Sequence, residues 1–200
     1  MEIFNSEDGM ITRLNTAPTA EPVTLLEAKF HLRLATVEAQ ADQYIQEDDL
    51  LNSLIQTATI LAQNFTRRAL MTQTWDGYLQ SFPETIRLPF PPAQAVTSIL
   101  VEGVSFTDFQ VTTEGILSPA DGYSWPSLSS APGPDPIVIT WDAGYGSAAA
   151  DVPVPIRQAM LLIIGHLYAN REATVPGISM QVLPWGSELL MNPYRWIEIP

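Results

Sequence analysis

A helix that is apolar nearly all round follows Val152-Pro153-Val154-Pro155. A proline in a helix's first turn fixes φ at a position whose amide has no intrahelical partner to lose. Ala159 to Ile164 is unbroken apolar, and Leu167 and Tyr168 carry the run on. A surface helix shows one apolar stripe, whereas a helix apolar on every side must be buried on every side. A bilayer cannot do the burying: spanning takes about 20 apolar residues. Arg157, Asn170 and Arg171 also bracket the run too closely. The helix, about residues 155–172, is therefore expected at the centre of an assembly, inside one subunit or between several. That requirement favours a structural protein over an enzyme.

The rest of the composition bears on who covers that helix. The chain has 200 residues, enough for one domain of ordinary size. Charged residues make up only 16%, against a usual value of about 25%. A lightly charged surface suggests that partners cover part of it. The formal charge is −13, from 22 acids and nine bases. Such a balance disfavours coating nucleic acid, whose affinity comes mostly from cationic contacts to phosphate. It leaves open a channel through which DNA slides without sticking. Lys29 is the only lysine; the other bases are arginines. Arginine binds carboxylates bidentately and is favoured in interface ion pairs, although genomic composition bias gives the same imbalance. With no cysteine, disulfides and thiolate chemistry are excluded. Met1 to Asn15 has no basic region followed by an apolar core, so no secretory signal is expected. No stretch has the length and apolarity of a membrane span.

Along the chain, residues 1–23 read as an extended N-terminal arm. Thr24-Leu25-Leu26-Glu27 fits a capping box, with Thr24 as N-cap and Glu27 reaching back. A helix over about 24–34 should follow. Glu47-Asp48-Asp49 then places three acids where a helix macrodipole favours them. Leu50, Leu54, Ala58, Leu61 and Phe65 recur at helical spacing, giving a helix over about 47–69 that ends near Arg67 and Arg68. The period then shifts towards two. Segments at 72–79, 86–88, 96–101, 109–112, 116–117 and 137–141 read as strands of a small antiparallel β-module over about 71–142. Residues 118–136, crowded with Pro, Gly and Ser, read as a long loop. The tail, 173–200, is broken by prolines and carries Trp185, Tyr194 and Trp196. Aromatics on such a segment suggest docking onto a partner; the alternative is that they pack back onto the domain. The expected fold is α+β: a bundle of three main helices in a domain over 24–172, with an inserted β-module and an extended C-terminal tail.

Chemistry is scarce in this sequence. His31 and His166 fall on different helices, and no histidine pair has metal-ligand spacing. A solvated helix start accounts for Glu47-Asp48-Asp49 without a metal. Asp142-Ala143-Gly144-Tyr145-Gly146 lacks the Lys-Ser/Thr ending of a phosphate loop and the third glycine of a dinucleotide fingerprint. No acid/base constellation points to a hydrolase, and no cofactor is expected. Tyr123 and Trp125 could bind a glycan or simply anchor their loop. Arg67, Arg68 and Arg157 have two readings as well. They could complement helix dipoles, or pair at a subunit interface with a neighbour's Glu47, Asp48 and Asp49.

Several segments, taken in order, carry a resemblance. They are Glu21-Pro22-Val23-Thr24-Leu25-Leu26-Glu27-Ala28-Lys29 with His31-Leu32-Arg33-Leu34, and Asp48-Asp49-Leu50-Leu51. Thr66-Arg67-Arg68-Ala69-Leu70, Thr72-Gln73-Thr74-Trp75, Leu88-Pro89 with Pro91-Pro92, and Val96-Thr97-Ser98-Ile99 follow. Thr140 to Gly146, Val152 to Ala159, His166-Leu167-Tyr168 and Asn170-Arg171-Glu172-Ala173 complete the set. In this order the chain resembles the head–tail connector proteins, or adaptors, of long-tailed double-stranded-DNA bacteriophages and related gene transfer agents. The resemblance covers about residues 21 to 175.

What the resemblance implies is a non-enzymatic virion protein in the neck between capsid and tail, assembled in the bacterial cytoplasm. It implies a homo-oligomeric ring, a dodecamer, that extends the DNA channel below the portal protein. Tail-side neck, stopper or terminator proteins would sit on that ring, and DNA would pass its lumen without specific binding. The family's C-terminal segment commonly engages the portal, which would give Trp185, Tyr194 and Trp196 a partner. A tail or baseplate component, with glycan binding through Tyr123 and Trp125, is the alternative reading.

Overall fold

A computed structural model describes residues 3–5, 9–35, 45–170 and 185–197, and of 3–5 and 185 only the backbone. Among these residues the fold is α+β, with four α-helices and antiparallel sheets. The chain divides into two compact units. One draws on Met1–Thr19 and Met71–Tyr145, the other on Ala20–Leu70 and Gly146–Pro200.

The first unit is the β-unit. Its strands are β1 (Ile3–Asn5), β2 (Ile11–Thr16), β3 (Gln73–Leu79), β4 (Ile86–Arg87) and β5 (Ala93–Val101). β6 (Val104–Ser105), β7 (Phe109–Val111), β8 (Ile116–Pro119) and β9 (Ile137–Ala143) complete it. One sheet has six strands in the order β1-β2-β3-β9-β5-β6, and a second has three in the order β4-β8-β7. In β3 and β9 every second residue is buried, the period-two pattern of a half-covered sheet. Trp75 pairs in register with Trp141, and both indoles are buried. Burying side chains of this size contributes about 1.5–3 kcal/mol each. Gly77 makes room beside them: a Cβ there would lie 2.9 Å from the Trp141 ring. In the smaller sheet Ile86 faces Leu117, and both are fully buried.

The sheet is larger than the module expected from sequence, because residues assigned to the N-terminal arm supply strands. Ile11, Thr12, Arg13, Leu14 and Thr16 pair with β3, with a register shift between Leu14 and Thr16. Thr12 is fully buried within this strand.

The second unit is helical. Helix α1 (Leu25–His31) opens with the capping box in place. The Glu27 amide donates to Thr24 Oγ1 at 3.2 Å, and the Thr24 amide donates to Glu27 Oε2 at 2.8 Å. It closes with the Arg33 amide on the Phe30 carbonyl and the Leu34 amide on the Lys29 carbonyl, a Schellman cap with Arg33 left-handed at φ 58°. Helix α2 (Asp48–Thr66) buries Leu51, Ile55, Ala58, Thr59, Ala62 and Thr66. It stops earlier than its periodicity suggests because Arg67 turns left-handed at φ 54°.

Helix α3 (Val154–Ala169) begins after Pro153 with Pro155 in its first turn. Ile156, Ala159, Met160, Ile163 and Ile164 are buried, while Leu161, Leu162, Leu167 and Tyr168 are half-buried. So α3 is deeply covered along one side and partly covered elsewhere, rather than buried all round. Gly165 lets His31 of α1 lie against it. Residues 171–184, which hold the expected end of this helix and the start of the expected tail, lie outside the described residues. Beyond them the tail contains helix α4 (Trp185–Met191), followed by a 3-10 turn over Asn192–Tyr194. Ser187 and Met191 of α4 are fully buried.

Candidate functional site

The C-terminal end of a helix leaves backbone carbonyls without partners. In α2 one of these is met from far along the chain: the Trp196 amide donates to the Thr66 carbonyl at 2.7 Å. The Arg68 Nε donates to the Tyr194 carbonyl at 2.6 Å. The Arg68 guanidinium also lies over the Trp196 ring, 5.8 Å from its centroid. The guanidinium of Arg195 lies over Phe65 of α2 at 5.7 Å. Cation–π contacts of this kind contribute about 0.5–1 kcal/mol at exposed sites. Tyr194 and Trp196 are thus half-buried against their own helical unit, and Trp185 opens α4. Ile197 and Leu189 project outward, 69% and 61% exposed. Arg67 is exposed at the end of α2.

The acidic start of α2 is divided. Asp48 forms an ion pair with Lys29 of α1 at 2.5 Å, where the Lys29 side chain is only 4% exposed. A buried ammonium needs such a partner, since an unpaired buried charge is strongly destabilising. Glu47 is the N-cap residue and makes no side-chain cap bond. Asp49 is exposed. At the first turn of α3, Arg157 donates through Nε to the Pro22 carbonyl at 3.0 Å and pairs with the Glu27 carboxylate. Burial raises the Glu27 pKa, but hydrogen bonds from the Thr24 amide and hydroxyl, together with Arg157, outweigh it and hold the group below its ordinary value. Asp48 and Arg157 are therefore engaged within the subunit, whereas Arg67 and Asp49 point to solvent.

A cleft of about 410 Å³ opens beside these pairs. Glu21, Thr24, Asn52, Gln56 and Ser147 give it polar walls, and Val23, Leu25 and Ile55 apolar ones. Glu21 accepts a hydrogen bond from Thr59 at 2.7 Å.

In the β-unit two carboxylates on adjacent strands are held by neighbouring donors. Asp76 accepts from Asn15 and Thr140, each at 2.8 Å, and Asp142 accepts from Thr74 at 2.6 Å. Trp125 stacks on Phe82 with centroids 4.7 Å apart and planes 7° apart, and it tilts against Phe106. Its ring anchors the loop, while Tyr123 is 59% exposed. His166 is half-buried, its Nδ1 3.4 Å from the Asn170 amide nitrogen. Among the described residues, no group of three or more His, Asp or Glu side chains is placed to hold a metal ion. Among them too, no helix is long and apolar enough to cross a membrane.

Sequence reasoning missed Lys29 and Arg195. Lys29 carried a signal, being the only lysine and lying in a helix expected to bury one face. Arg195 carried none, since its partner Phe65 lies in α2 and nothing local links the two.

No protein-family model matches the chain, and no curated protein does. Solved structures do. A chain from the neck of an empty gene transfer agent particle, computed with C6 symmetry, superposes with a TM-score of 0.76 at 23% identity. A chain from the virion of a native gene transfer agent gives 0.75 at 21%. One from the neck of a native particle, computed with C12 symmetry, gives 0.68 at 18%. In each case the match covers 94% of this chain and 97% of the other. The fold is therefore shared, over 94% of this chain, with chains of those particles.

Proposed function

We propose that this chain is a structural protein of a virion neck: a head–tail connector that forms a ring between the capsid portal and the tail. The observation that carries the reading is the fold likeness, over 94% of this chain, to chains from gene transfer agent necks in structures computed with cyclic symmetry. It agrees with the ordered segments that resemble connectors of phages and gene transfer agents. The role is geometric rather than catalytic. Identical lateral contacts close a ring by cyclic symmetry, and the charge of −13 per copy makes for a lumen that does not bind passing DNA.

Within this reading Arg67 and Asp49 serve at the subunit interface, since both are solvent-exposed at opposite ends of α2. Arg68, Arg157, Glu47 and Asp48 shape the surfaces around them. The C-terminal segment carries the portal contact, through Trp185, the uncovered edges of Tyr194 and Trp196, and the exposed Leu189 and Ile197. Tail-side neck proteins take the other end of the ring.

Mass measurement of the purified protein, alone and mixed with portal rings, tests the proposal. Closed oligomers that join the portal are expected. A strict monomer that never associates with portal rings would overturn it. Imaging of labelled particles adds the location, with label at the neck expected. Label at the distal tip would favour the tail or baseplate reading instead.

A further inference from the structure

We propose that Arg67, Arg68 and Arg195 form one composite carboxylate-binding site, assembled by the C-terminal segment, that takes an acidic surface of a second copy of this chain. The inference rests on the ring reading and names a contact within it.

Of the chain's nine bases, Arg67 and Arg68 are neighbours at the end of α2, and Arg195 lies on the segment bonded to that end. The Arg68–Tyr194 hydrogen bond and the Trp196 cap on Thr66 bring residue 195 to the end of α2. None of the three arginines has a carboxylate partner among the described residues, where the ion pairs are Lys29–Asp48 and Arg157–Glu27. Bringing a third arginine to this helix end without an anion is unfavourable by simple Coulomb repulsion. The segment is nonetheless held there by one backbone hydrogen bond, one hydrogen bond from the Arg68 side chain to the backbone, and two aromatic faces. The Trp196 and Phe65 rings fix the guanidinium groups of Arg68 and Arg195, and so reduce the order lost when they bind.

The occupant follows from charge. Each copy carries −13, so two copies repel over most of their surfaces. A patch of three unpaired arginines is where a neighbour's excess carboxylates gain rather than lose energy. Duplex DNA is a poorer match, since the 22 acids of the same chain oppose its phosphates. Trp196 and Tyr194 are positioning residues here.

The test needs no partner protein: self-association of the full chain is followed by mass photometry and sedimentation across ionic strength. Arg195→Glu and Arg68→Glu are each expected to weaken self-association at least tenfold, and Arg195→Lys much less. Arg33→Glu, an exposed arginine at the end of α1, serves as the control and is expected to leave it unchanged. Circular dichroism confirms that the variants fold. Oligomers of unchanged strength in Arg195→Glu and Arg68→Glu overturn the site while leaving the ring intact. A wild-type chain that stays monomeric at all concentrations overturns the ring reading, and this site with it. Binding of short duplex DNA by the wild type, lost in Arg195→Glu, assigns the patch to phosphate and overturns the second-copy occupant.

Discussion

The guanidinium of Arg157 holds the carboxylate of Glu27, joining the first turn of α3 to the capping box of α1. Glu27 thereby caps one helix and anchors another. Its pKa is lowered, so the sign is that of a depressed carboxylate. The stabilisation is complete above the ordinary value of 4.5 and fades as pH falls through the lowered folded value. Glu27→Gln should destabilise the protein at neutral pH, and the difference from wild type should shrink in acid below that value. Urea denaturation of both proteins from pH 7 downwards checks this. A gap that stays constant into acid would show that the ionised carboxylate contributes nothing.

Gly165 sits in the middle of α3, where glycine costs about 1 kcal/mol relative to alanine. A Cβ there would lie 3.4 Å from His31 Nε2, an ordinary contact distance. Gly165→Ala should therefore stabilise the protein by about 0.5–1 kcal/mol. Thermal melting should show Tm rising by about 2–3 °C. A fall in Tm would mean that His31 has no room to yield.

What could be read in advance follows the distance between cause and effect. The α1 capping box needs only Thr24 and Glu27, and the alternation of β3 and β9 is local, so these elements were legible. Strand β2 was not. Ile11 to Thr16 lacks strong alternation, and Asn15 finds Asp76 61 residues away. Helix α4 was hidden for the same reason. It is seven residues long, too short to be stable by itself, and it persists because Met191 and Ser187 are buried against other helices. Among the interface candidates, Arg67 and Asp49 are solvent-exposed, and so stand where a subunit contact can reach them. The engagement of Arg157 and Asp48 inside the subunit depends on Glu27 and Lys29 across the fold, which no local pattern reveals.

Met191 links the C-terminal segment to the stability of the helical unit, because its side chain is fully buried. Met191→Ala should cost about 2–5 kcal/mol. Deleting residues 185–200 removes Met191 together with the Trp196 cap on Thr66. The truncated chain should therefore unfold at clearly lower urea concentration than the full chain. Equal midpoints for both would show that α4 is dispensable, leaving the segment free for portal contact alone.

Gly144 is held by the Pro92 carbonyl, which accepts its amide at 2.9 Å. Its φ is +130°, and a Cβ would run into the Met71 backbone. Gly144→Ala should thus cost at least about 2 kcal/mol, from strain and collision together. Gly133 has nothing within 4 Å of the same position, so Gly133→Ala should leave stability within about 0.5 kcal/mol. Paired denaturation curves decide the matter, and equal midpoints would count against the close approach at Gly144.

Tyr123 and Trp125 separate the neck reading from a glycan-binding tail component. A glycan platform needs its aromatic faces open, but one face of Trp125 is taken by Phe82 at 4.7 Å. Trp125→Ala should therefore act on stability, lowering it by about 2 kcal/mol. Tyr123 is 59% exposed, and Tyr123→Ala should change stability by less than about 0.5 kcal/mol. Neither variant should alter incorporation into particles beyond what lost folding explains. Saccharide binding by the wild type that vanishes in Tyr123→Ala, with stability unchanged, would reverse this order and favour the tail component.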